Sequence, residues 1–123
     1  MKKILGLAFG LMIGSFVFGQ STISFSEDLN TYNKANVSEY HFLFDSSISD
    51  QAITDNAQYY TDYFTVTQTG TQSGTNVTIT LLQDDEISRK VIQRYFTQFQ
   101  VPTINVGSNE VDLVDFMSQY IYQ

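Results

Sequence analysis

From Val37 to Phe44 the side chains alternate, with Tyr40, Phe42 and Phe44 on one side and Glu39, His41 and Leu43 on the other. A period of two sends successive residues to opposite faces, so this segment predicts a strand with one apolar face. Ser49 then stands as a helix cap, with Ile48 before it and Ile53 after it at the spacing of a hydrophobic staple. Ile53, Ala57 and Tyr60 follow at i, i+4 and i+7, one inward face of a short helix. Alternation returns at Tyr63–Gln68, where Phe64 and Val66 oppose Thr65 and Thr67. Thr69–Thr75 (TGTQSGT) reads as a loop by composition. Asn76–Leu82 alternates once more, and its β-branched density makes it a strong strand.

Asp84 or Asp85 is placed to cap a second helix, whose apolar face is Ile87, Val91, Ile92, Tyr95, Phe96 and Phe99. Pro102 breaks the chain before a short strand at Thr103–Val106. Gly107-Ser108 then reads as the start of a last helix, Asn109–Tyr122, with Leu113, Phe116, Met117, Tyr120 and Ile121 on one face. The order strand, helix, strand, strand, helix, strand predicts an α+β, ferredoxin-like βαββαβ fold. Its four-stranded antiparallel sheet carries helices on one face, with an extra C-terminal helix. This domain is expected over residues 37–123, preceded by a polar, flexible lead-in at 20–36 with a short strand at Thr22–Phe25.

The first residues have a different pattern. Lys2 and Lys3 precede an uncharged run, Ile4 to Phe18, and Val17-Phe18-Gly19 ends it with a cleavage-like triplet. Residues 1–19 therefore predict a secretory signal peptide, cut between Gly19 and Gln20, because a spanning helix needs roughly 20 apolar residues. The expected mature chain is periplasmic or secreted, with no stable membrane insertion. Its formal charge moves from −7 to −9 as Lys2 and Lys3 leave, so only Lys34, Arg89, Lys90 and Arg94 remain as cations. Such a surface repels phosphate backbones, which argues against nucleic-acid binding. There is no cysteine, hence no disulfide, thiolate ligand or thiol nucleophile.

Residues 40–106 resemble, in element order and spacing, the heavy-metal-associated domain of copper chaperones and metal-transporting ATPases. The stretch NVTITLLQDDEISRKVIQRYFTQF at 76–99 is similar to that family's third strand, acidic turn and second helix. The family carries Cys-x-x-Cys after its first strand, where thiolates hold a soft metal ion. Here the corresponding loop is Asp45-Ser46-Ser47-Ile48-Ser49-Asp50, so the resemblance implies the fold without the metal site.

No other constellation carries chemistry. His41 is the only histidine, Asp84-Asp85-Glu86 lacks the alternation of a calcium loop, and Asp112 and Asp115 read as a solvated helix face. Asp45, Ser46, Ser47, Ser49 and Asp50 read as capping residues. No catalytic, cofactor-binding or metal-ligating residue is assigned, and no cofactor is expected. Tyr59, Tyr60, Tyr63, Tyr95, Tyr120 and Tyr122 are a notable excess. Together with an open sheet face they predict a non-catalytic domain that binds a protein partner or forms a homo-oligomer. The alternative is a divergent heavy-metal-associated-type domain with altered ion binding.

Overall fold

A computed structural model describes residues 21–123. The signal peptide expected at residues 1–19 and its cleavage point lie outside the described residues. The elements are β1 (Ile23–Phe25), β2 (Glu39–Asp45), α1 (Asp50–Ala57), β3 (Phe64–Thr71), β4 (Gly74–Leu81), α2 (Glu86–Thr97), β5 (Thr103–Val106), β6 (Asn109–Asp112) and α3. Helix α3 runs as α over Leu113–Phe116 and widens to π over Met117–Ile121.

The molecule is α+β, with a mixed six-stranded sheet in the order β3-β4-β2-β1-β5-β6. The expected sheet had four antiparallel strands, and the two additions have distinct causes. Ile23 and Phe25 are both buried, and burying their backbone requires pairing on both sides. Hence β1 runs antiparallel to β2 and parallel to β5, the one parallel pair among the described residues. The segment read as a lead-in thus supplies an interior strand. At the other end, Gly107 takes φ +62 and turns the chain with Ser108, so Val106 pairs with Asn109. A glycine-first, two-residue loop suits a hairpin. The first four residues of the expected Asn109–Tyr122 helix are therefore strand β6, and Asp112 then caps α3 through Val114 N.

The residues read as a loop at Thr69–Thr75 are mostly hairpin. β3 and β4 pair without interruption from Phe64↔Leu81 to Thr71↔Gly74, leaving only Gln72 and Ser73 as the turn. Gly74 sits at φ +148, and a Cβ there would lie 2.2 Å from the carbonyl oxygen of Phe44. The chain passes so close to β2 at this point that only glycine fits.

All three helices cover the face that carries Tyr40, Phe42 and Phe44. Phe96 of α2 packs edge-on against Phe42, Phe116 of α3 against Phe25, and Tyr95 against Phe64. Ile48 and Ile53 are buried on either side of the Ser49 cap, which accepts from Ala52 N at 3.0 Å. Of the expected α2 face, Val91, Ile92, Tyr95 and Phe96 are buried, but Ile87 is 63% exposed. It lies in the first turn of the helix.

Candidate functional site

The face of the sheet away from the helices is polar because the inward pattern puts every second residue outward. Thr65, Thr67 and Thr69 of β3 lie opposite Thr80, Thr78 and Asn76 of β4, which lie in turn beside Glu39, His41 and Leu43 of β2. His41 is on this face, as the alternation predicts, and is half exposed. Its Nδ1 lies 2.7 Å from Glu27 Oε2 and its Nε2 lies 3.1 Å from Glu39 Oε2. The same Glu27 oxygen accepts from the His41 backbone N–H at 2.8 Å. The sequence hid this partner, since Glu27 lies in the loop after β1 and becomes a neighbour only once β1 pairs with β2. A neutral imidazole has a single N–H, so it can donate to only one of the two carboxylates. Among the described residues, no three His, Asp or Glu side chains are placed to hold a metal ion.

The acidic run at α2 has separate tasks for each member. Asp85 caps the helix, accepting from Ser88 N at 2.8 Å, and this bond holds its carboxyl below its usual value. Glu86 pairs with Lys90 one turn on, at 3.0 Å. Asp84 grips Arg89 through Nε at 2.8 Å and Nη2 at 3.0 Å. Arg89 is only 2% exposed, which periodicity does not foretell for a helix of this kind. Its remaining bonds go to the carbonyls of Lys34, Val37 and Ile121, and its guanidinium lies 5.8 Å from the centre of the Tyr40 ring. The cleft beside it, about 610 Å³, is bounded by Asp84, Asp85, Lys90 and Tyr122. With its donors engaged, Arg89 ties the loop before β2 to the C-terminus and offers nothing to a ligand.

The Asp45–Asp50 loop is likewise turned on itself. Asp45 accepts from Ser47 N at 2.9 Å, Ser49 caps α1, and Asp50 Oδ1 accepts from the Thr75 hydroxyl at 3.0 Å. Asp112 caps α3, and Asp115 is exposed in its first turn.

The tyrosines do not form the expected patch. Tyr60 and Tyr95 are buried, Tyr63, Tyr120 and Tyr122 are half-buried, and only Tyr59, 74% exposed, faces solvent. Tyr95 donates to the Ile53 carbonyl at 3.0 Å, and Tyr32, which the pattern left unassigned, donates to Tyr120 O. The tyrosine excess serves the core.

What remains open is an edge. In an antiparallel pair, residues alternate between exchanging both backbone bonds with the partner and turning both groups away. The Leu82 N–H bonds to Tyr63 O, which fixes the parity: Thr65, Thr67, Thr69 and Thr71 bond to β4. Phe64, Val66, Gln68 and Gly70 therefore present N–H and C=O groups outward, and no hydrogen bond among the described residues reaches them. Among the described residues nothing guards this edge: β3 has eight residues and contains no charge, proline or break in register. The opposite edge, β6, has four residues, two of them Glu110 and Asp112. Natural sheets blunt their edges by such shortness and charge, and β3 has neither. The sequence concealed the edge because TGTQSGT looks like loop, which ends the apparent strand at Gln68, three residues short of Thr71.

Comparison of the chain with protein-family models, with curated proteins and with solved structures finds no match in any of the three.

Proposed function

We propose that this chain is a small exported, non-catalytic domain that works by strand addition, taking an extended protein segment onto β3. The observation that carries this reading is the unguarded eight-residue edge with four outward-facing backbone positions. Main-chain bonds to an added strand supply affinity in this mode, and alternate side chains supply selectivity. Export rests on Lys2, Lys3 and the apolar run after them, and is checked by mass spectrometry of the purified N-terminus, expected at Gln20.

The fold reading belongs with it. What supports a ferredoxin-like core is the order β2, α1, β3, β4, α2, β5, into whose sheet β1 is inserted between β2 and β5. A scaffold of this kind, like a heavy-metal-associated domain without its cysteines, would keep a rigid sheet and give up the metal loop.

Selection of random octapeptides on the purified protein tests the reading. Enriched segments should bind the wild type and lose binding to Gln68→Pro, which removes one outward N–H while sparing the ladder bonds of Thr67 and Thr69. A monomeric protein that enriches nothing, or peptides indifferent to Gln68→Pro, would overturn it.

A further inference from the structure

An edge strand alone does not say what pairs with it, but its surroundings have one sign. From Asp50 through Leu82, spanning α1, β3 and β4, the charged residues are Asp50, Asp55 and Asp62, with no lysine, arginine or histidine. Every cation outside the expected leader lies elsewhere: Lys34 before β2, and Arg89, Lys90 and Arg94 on α2. Two of those are already paired, Arg89 with Asp84 and Lys90 with Glu86.

Two of these acids lie near the edge, Asp50 beside its middle and Asp62 just before its start. The Gln68 side chain reaches the Asp50 carbonyl at 3.4 Å and the Thr54 hydroxyl at 3.4 Å, which sets the exposed side of α1 beside the middle of β3. Asp55, the next residue after Thr54, is exposed and accepts from Gln51 Nε2 at 2.7 Å, within reach of a long side chain docked at the edge. Asp62 lies two residues before Phe64, at the start of the edge. There Tyr60 stacks on Phe64 at 5.7 Å, and Tyr59 stands outside it with most of its ring in solvent.

We infer that β3 takes an extended segment bearing lysine or arginine at alternate positions, a deepening that rests on the strand-addition reading. Residues of the added strand on the helix side would lie between Asp50 and Asp55 at one end and Tyr59 and Asp62 at the other. A long cationic side chain reaches such carboxylates and lies against an exposed aromatic face. Residues on the opposite side would continue the row Thr65, Thr67 and Thr69, which suits small hydroxyl or amide side chains. A second copy of the chain fits less well, because it would set the same three aspartates against these. Like charges brought together at an interface select against that partner.

Two synthetic octapeptides distinguish the claims: alternating Thr-Lys and alternating Thr-Glu, both capped at their ends. They are titrated into protein purified as its host processes it, with amide shifts followed by NMR. The Thr-Lys peptide should move the Phe64, Val66, Gln68 and Gly70 amides and bind at least about tenfold more tightly than Thr-Glu, the margin shrinking with salt. The triple variant Asp50→Asn, Asp55→Asn, Asp62→Asn should erase that preference while keeping its fold by circular dichroism, and Gln68→Pro should abolish binding of both peptides. Equal binding of the two peptides at β3 overturns the cationic preference and leaves strand addition standing. Dimerisation of the free protein that Gln68→Pro blocks, with neither peptide bound, overturns it in favour of a second copy. A monomer that binds neither peptide overturns this inference, while strand addition then stands or falls with the octapeptide selection.

Discussion

At the scale of single residues, the most constrained positions are ones whose neighbours lie far along the chain. Gly74 is the clearest, since the atom that a Cβ would meet is the backbone oxygen of Phe44 and cannot swing aside. Gly74→Ala should therefore cost about 3 kcal/mol in urea denaturation, through clash and an unfavourable φ together. Two buried tyrosines should respond with opposite signs. The Tyr40 hydroxyl is buried with no hydrogen-bond partner among the described residues, so Tyr40→Phe should leave stability unchanged or raise it by up to about 1 kcal/mol. Tyr95 donates to Ile53 O, so Tyr95→Phe should lower stability by about 1 kcal/mol. Equal effects of the two substitutions would contradict this account of the core. Arg89→Ala should be the most damaging of the set, at about 3–5 kcal/mol, because three backbone carbonyls and Asp84 lose their partner together.

Elements differ in how they tolerate the same change, and proline exposes the difference. β1 pairs on both sides, so Ser24→Pro removes a bond from the sheet interior and should prevent folding. Gln68→Pro falls on the outward side of an edge strand and should leave a folded protein with a modestly lower melting temperature. Circular dichroism of the two variants checks this directly. For α2, the bond from Ser88 N holds the Asp85 carboxyl below its ordinary 3.8, so the cap stabilises the fold above that value. Its contribution is lost as pH falls through the lower folded value. Asp85→Ala should thus lower the melting temperature at neutral pH, and the gap from wild type should close in acid. Much of this scale was legible in the chain. The α1 cap, the staple at Ile48 and Ile53 and the β4 alternation are local, and local rules find them. The β5–β6 turn was written as Gly107-Ser108, but with only Val111 apolar beyond it, the strand pattern is too short to separate from a helix start.

For the molecule as a whole, the core is aromatic and carries hydroxyls, which couples its stability to alkaline pH. Burial raises Tyr32, Tyr40 and Tyr95 above the ordinary value of 10.0, Tyr40 to about 12 despite the opposing pull of Arg89. These groups keep their proton in the folded protein and lose it in the unfolded chain. The stability they confer is complete below pH 10 and declines as pH rises from 10 toward the folded values. Unfolding should therefore set in above pH 10, with tyrosinate absorbance and loss of circular dichroism rising together. Early ionisation without unfolding would show that these hydroxyls reach solvent. Charge acts at this scale too. The negative charge beside the edge depends on the assembled fold, because α1 brings Asp50 next to β3 only when Thr54 and the Asp50 carbonyl pack against Gln68.

Periodic elements and their caps are written locally, since each depends on residues within a few positions of one another, and the absence of thiol chemistry and the acidic balance follow from composition alone. The remainder came from long-range packing. It placed β1 between β2 and β5, brought Glu27 to His41, buried Arg89, Tyr60 and Tyr95, and left β3 paired on one side only among the described residues. Each of these depends on which strands pair. Pairing is settled by the burial of side chains far apart in the chain, Ile23 and Phe25 against Phe42 and Phe44 among them.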